Sequence, residues 1–89
     1  MKTNQIRVTG KVQGVYFRAS AKQKAQMLGV NGYVRNELDG SVVLEIEGDD
    51  EAVDYMTDWC KHGPALARVK NVEVKNEASR NFVSFDIKK

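Results

Sequence analysis

The run Tyr33-Val34-Arg35-Asn36-Glu37-Leu38-Asp39-Gly40-Ser41-Val42-Val43-Leu44-Glu45-Ile46-Glu47 decides how the chain is wound. Asp39-Gly40 is a strong hairpin signal, because both residues adopt positive φ at little steric cost. Residues 30 to 38, with Tyr33, Val34 and Leu38, read as a strand leading into the turn. After it, Val42, Leu44 and Ile46 alternate inward while Glu45 and Glu47 alternate outward, the pattern of a half-buried strand.

Towards the N-terminus, Phe17, Ala21, Ala25 and Leu28 recur at helical spacing, with Lys22, Gln23, Lys24 and Gln26 between them. Gly29 supplies the stop. The small Ala21 and Ala25 suggest a helix lying close on a sheet. Before the helix, residues 5 to 12 alternate, with Ile6, Val8 and Val12 on one face and Gln5, Arg7, Thr9 and Lys11 on the other. Gly10 replaces one inward side chain, which marks a bulge or a close approach of another backbone.

Towards the C-terminus, Gly48-Asp49-Asp50-Glu51 opens a second helix, with an Asp at the N-cap and acidic residues suited to the helix dipole. Val53, Met56 and Cys60 share its inner face, flanked by Ala52, Tyr55 and Trp59. Lys61 and His62 fall in its last turn before Gly63-Pro64. Val69, Val72 and Val74 form a weaker strand signal. The polar loop Asn76-Glu77-Ala78-Ser79-Arg80-Asn81 leads to a last strand with Val83, Phe85 and Ile87 inward. The order is β-α-β-β-α-β, with an extra short strand from a hairpin near the C-terminus. The expected fold is α+β and ferredoxin-like: an antiparallel sheet of four to five strands with two helices on one face.

Length and composition narrow the classes. A chain of 89 residues suits one domain, spanning residues 1–89. An apolar content of 42%, a charged content of 29% and a net charge of +2 are ordinary for a globular protein, and do not by themselves call for nucleic acid or a membrane surface. The N-terminus lacks a signal-peptide core, and no apolar run reaches the length of a membrane span. The single Cys60 fits a reducing compartment, so a cytoplasmic protein is expected, and one Cys with one His is too few soft ligands for a structural zinc site. A monomer, with no metal and no cofactor, is the expectation at this size.

The chemistry concentrates in Val8-Thr9-Gly10-Lys11-Val12-Gln13-Gly14-Val15-Tyr16-Phe17-Arg18, the end of a strand, a turn at Gln13-Gly14 and a helix start. A helix start offers unpaired N–H groups and positive potential, a ready anion site. Arginine is disfavoured there unless an anion lies between; a solvated arginine is the alternative. Asn36 shares the parity of Val34 and Leu38 and so faces the helices, where it either satisfies a backbone group or serves a site. If its strand pairs beside the first, Asn36 comes near the Gln13–Arg18 turn. His62 has a sufficient explanation at a helix C-terminus, and Cys60 at a core position. Backbone N–H groups, one Arg and one Asn include no general base with a pKa near neutrality. Such a site suits a substrate whose leaving group needs no protonation.

Gly10-Lys11-Val12-Gln13-Gly14-Val15-Tyr16-Phe17-Arg18 resembles the first signature of the acylphosphatases, G-x-V-Q-G-V-x-F-R. Gly32-Tyr33-Val34-Arg35-Asn36-Glu37-Leu38-Asp39-Gly40-Ser41-Val42, closed by Gly48, resembles their second, and Gly63-Pro64 with Ala67-Arg68-Val69 is similar to their segment after the second helix. The resemblance implies hydrolysis of the carboxyl–phosphate bond of acyl phosphates, without a metal, to a carboxylate and inorganic phosphate. By match of position, it implies that Arg18 holds the phosphate with the backbone N–H groups of Gln13, Gly14, Val15, Tyr16 and Phe17. It also implies that the Asn36 amide orients the attacking water.

Two other classes compete. A non-catalytic phosphate- or carbamoyl-phosphate-binding module is one, since such domains also stand at the front of larger hydrogenase-maturation proteins. An RNA-recognition module shares the element order, but it stacks bases on sheet aromatics. The outward positions here carry Arg7, Thr9, Val43, Glu45 and Glu47 instead.

Overall fold

A computed structural model describes residues 1–89. Its elements are β1 (Lys2–Lys11), α1 (Phe17–Leu28), β2 (Asn31–Asn36), β3 (Val42–Gly48), α2 (Asp50–Cys60), β4 (Arg68–Glu77) and β5 (Phe85–Lys88). The sheet order is β4-β1-β3-β2-β5. Both helices pack on one face, where Ile6, Val8, Val34, Val42, Leu44 and Ile46 meet Phe17, Ala21, Ala25, Val53, Met56 and Cys60. The alternation in β1 and β3 therefore selects the buried face as expected. No helix is long and apolar enough to cross a membrane.

Gly10 serves both purposes open to it. The β1–β4 register shifts between Thr9 and Gly10, and a Cβ on Gly10, whose φ is 123°, would run into the backbone of Arg68 and Lys70.

The sheet is mixed, which corrects the antiparallel expectation. β1, β2, β3 and β4 pair antiparallel, but β5 pairs parallel to β2, with Val34 opposite Ile87. Nor do β4 and β5 form a hairpin, since they occupy opposite edges. The cause is the crossing segment 78–84. Its Arg80 and Phe82 N–H groups donate to the Glu47 carboxylate at 2.8 and 3.0 Å, and Asn31 Nδ2 donates to Phe82 O at 3.1 Å. These bonds carry the chain across the end of the sheet to the free edge of β2.

The same segment covers part of the face expected to be solvated. Glu45 and Glu47 point outward, yet they are 3% and 1% exposed. Glu45 accepts hydrogen bonds from Tyr33 Oη and, at 2.7 Å, Arg80 Nη1. Three apolar residues expected inward, Leu38, Val83 and Ile87, are exposed instead, Ile87 on the edge strand β5. Leu38 lies in the turn after β2 ends at Asn36, and Val83 lies in the crossing segment before β5 begins. Asp49 holds the N-cap position of α2, but its side chain makes no capping bond, and Lys61 and His62 fall beyond the last turn.

Candidate active site

Strand directions bring the end of β1, the ends of β2 and β5 and the start of α1 to one end of the sheet. Between them lies a cavity of about 420 Å³. Val12 and Phe17 form its floor, and Gly14, Tyr16, Arg18, Ala19, Asn36 and Ile87 line it.

The loop from Gln13 to Tyr16 turns the chain from strand to helix within four residues. Gly14, at φ 73°, and Tyr16, at φ 65°, both take the left-handed conformation, which is unusual for a tyrosine. Val15 anchors the loop in the core, while Tyr16 stands 73% exposed at the rim. α1 then begins with no side-chain cap and no acidic residue in its first turn. None of the backbone N–H groups of residues 13 to 19 donates a hydrogen bond to the protein; the first to do so is Ser20, to Tyr16 O at 3.0 Å. A row of free N–H groups at a helix start is an anion cradle. The Arg18 guanidinium beside it has no carboxylate partner.

Asn36 ends β2 across the cavity. Its Oδ1 is buried and accepts no hydrogen bond, the one buried side-chain polar atom in the protein without a partner. Such an atom costs about 1–3 kcal/mol unless a ligand or water satisfies it. The structure thus brings Arg18 and Asn36 to one cavity with Gly14, Tyr16 and Phe17 of the loop, while Gln13 and Val15 are not in its lining.

The Gln13 side chain turns away from the cavity. Its Nε2 donates to Glu37 O at 2.8 Å and to Ser41 O at 2.9 Å, tying the loop to the β2–β3 hairpin. Ile87 in the cavity wall was not singled out by sequence. Its alternation placed it inward, but only the parallel pairing with β2 puts it at this end. The lining contains no carboxylate, histidine, cysteine or lysine. The neighbouring Glu37 is engaged by Arg35 Nε at 2.9 Å. His62 lines a separate groove with Tyr55, Asp58 and Trp59. Burial pushes the Cys60 thiol up to about 12, so it stays protonated and inert. The arrangement can bind a phosphoryl group and place a water, with no protein base to deprotonate it.

Comparison with known proteins reaches the same chemistry. The model of the acylphosphatase family matches residues 4–87. An acylphosphatase of Methylococcus capsulatus is 51% identical over 88 residues, which span 98% of this chain and 96% of that one. The crystal structure of an acylphosphatase from Bacillus subtilis superposes with a TM-score of 0.96 at 29% identity, over all of both chains. An acylphosphatase from Coxiella burnetii superposes with a TM-score of 0.94 at 33% identity, over 98% of this chain and 92% of that one.

Proposed function

The chain belongs to the acylphosphatase family and hydrolyses acyl phosphates, and from that premise we propose that Arg18, Asn36 and the backbone N–H groups of residues 13 to 17 carry the reaction. The observation that bears most weight is the unpartnered Oδ1 of Asn36, a residue that shares the cavity wall with Phe17 and Arg18 at the uncapped start of α1. An amide oxygen there accepts a hydrogen bond from a water and turns the water's lone pair toward a phosphorus held in the cradle.

The chemistry suits these parts. The Arg18 fork matches two phosphate oxygens, and the N–H groups of Gln13, Gly14, Val15, Tyr16 and Phe17 meet the charge that spreads over the equatorial oxygens in a loose transition state. The bond from water oxygen to phosphorus forms as the bond to the acyl oxygen breaks. The leaving carboxylate, whose acid has a pKa of about 4, departs without a proton donor. The water's proton passes to a phosphate oxygen, so the products are a carboxylate and inorganic phosphate. The module reading lacks this turnover step, and assay of hydrolysis separates the two.

Hydrolysis of benzoyl phosphate, followed by ultraviolet absorbance with inorganic phosphate as a competing ligand, tests the assignment. Arg18→Ala abolishes both turnover and inhibition by phosphate. Asn36→Ala keeps the inhibition and loses roughly 10²–10³ in turnover, the usual effect of removing one preorganised group. Wild-type turnover in Asn36→Ala would remove Asn36 from its role.

A further inference from the structure

We propose that the Gln13 side chain is a positioning residue that sets the distance between the phosphate cradle and Asn36. The inference rests on Asn36 holding the attacking water. Gln13 Nε2 donates to Glu37 O at 2.8 Å and to Ser41 O at 2.9 Å, the two carbonyls at the mouth of the hairpin. Asn36 immediately precedes Glu37, so one amide nitrogen links the first residue of the cradle to the backbone beside the water-binding group.

The hairpin gives this link a fixed anchor. Glu37 N–H donates to Ser41 O at 2.9 Å, and Gly40 N–H donates to Glu37 O at 3.1 Å. Asp39 Oδ1 accepts from Ser41 N–H at 2.9 Å and Ser41 Oγ at 2.6 Å, and Asp39 Oδ2 pairs with Arg7 on β1. Both carbonyls that Gln13 meets therefore already hold a backbone partner. Removing Gln13 leaves neither without a hydrogen bond, so the fold gains little from the side chain. Its distinct consequence is geometric. The loop of residues 13 to 16 donates no backbone hydrogen bond to the protein, and Gln13 provides its polar tie to the element bearing Asn36.

The test uses Gln13→Met, of similar length but without a donor. A displacement of about 1 Å between reacting groups lowers turnover roughly 100-fold, and a loss approaching that is expected for benzoyl phosphate. Inhibition by inorganic phosphate stays within about twofold, the scatter of independent sites, because the cradle itself is intact. The decisive measurement is the double variant Gln13→Met/Asn36→Ala, which turns over within about twofold of Asn36→Ala alone if Gln13 acts through Asn36. Losses that multiply, or a parallel loss of phosphate inhibition, overturn the inference.

Gln13→Glu provides a second arm should the methionine variant fold poorly. Its ionised carboxylate cannot donate, whereas the protonated acid can. Its activity relative to wild type therefore recovers as pH falls toward about 4.3, and a flat ratio counts against the proposal. If Asn36→Ala itself keeps full turnover, the assignment of Asn36 falls. If Asn36→Ala is impaired and Gln13→Met is not, only the role of Gln13 falls.

Discussion

At the end of the sheet where β3 finishes, the buried Glu47 carboxylate receives hydrogen bonds from Thr3 Oγ1, Ser79 Oγ and the N–H groups of Arg80 and Phe82. At the opposite end the buried Asn36 Oδ1 receives none. The helix starts divide in the same way. α2 begins at the Glu47 end with Asp50 and Glu51 in its first turn, whereas α1 begins at the Asn36 end with an arginine and no acid. Even the strained backbone follows suit. Asn81, a residue type that tolerates positive φ, holds it at the Glu47 end, while Tyr16 holds it at the other. Among buried side-chain polar atoms, the Glu47 end leaves none without a partner, whereas the other end leaves Asn36 Oδ1 without one. That difference, more than the fold, is what supports placing the proposed chemistry at the Asn36 end.

The sharpest way to probe the closed end is to remove its carboxylate. Glu47→Gln replaces one acceptor oxygen by a donor facing donors, and a loss of about 3 kcal/mol in urea unfolding is expected. Arg18 and Asn36 are untouched, so the folded fraction keeps its turnover; a large loss there would show that the two ends are coupled. The pH dependence follows from the same contacts. The hydrogen bond from Thr3, helped by those from Arg80, Ser79 and Phe82 and opposed by desolvation, holds the Glu47 carboxyl down to about 2. A depressed carboxyl stabilises the fold fully above its ordinary value near 4.5, and this contribution is lost as pH falls from there toward about 2. Glu47→Gln removes that part of the acid sensitivity.

Legibility from sequence also differs between the ends. The Asn36 end was readable because its elements are local: a turn at Gln13-Gly14, a helix start and an Asp39-Gly40 hairpin, each with its own residue signals. The parity of Asn36 with Val34 then placed it on the correct face. The Glu47 end was misread because alternating glutamates in a strand look the same whether water or a later segment covers them. Nothing local says that Arg80 and Phe82 will reach Glu47, and so nothing local gives the direction of β5. The side chain of Gln13 and the place of Ile87 in the cavity wall share this obscurity, since both depend on where distant strands lie.

A smaller effect is expected at Tyr16. Its left-handed backbone costs about 1 kcal/mol, and its ring is 73% exposed, so little packing is at stake. Tyr16→Gly relieves the strain but frees the unfolded chain, for a net gain of about 0.5 kcal/mol in thermal or urea unfolding. The cradle becomes less rigid, and turnover of benzoyl phosphate falls as stability rises. A loss of stability would mean that the tyrosine ring, not the backbone of the loop, is the feature held at the rim.

The smallest effect expected is at Asp49, and it decides what distinguishes the two helix starts. An Asp at an N-cap that bonds the first turn is worth about 1 kcal/mol over alanine. Asp49 has the extended backbone of an N-cap, with φ −57° and ψ 143°, but its side chain makes no such bond. Only its charge near the positive end of α2 remains to act, an effect of about 0.3–1 kcal/mol that salt screens. Asp49→Ala should therefore cost no more than about 0.5 kcal/mol at low ionic strength and less at high salt, by urea unfolding at both. A larger, salt-independent loss would mean that Asp49 caps α2 in solution, so that α1 differs from it by a missing hydrogen bond. The expected result leaves charge as the difference: both helix starts have free N–H groups, but α2 brings its own anions to them, whereas α1 brings Arg18, as the proposed binding of a substrate anion requires.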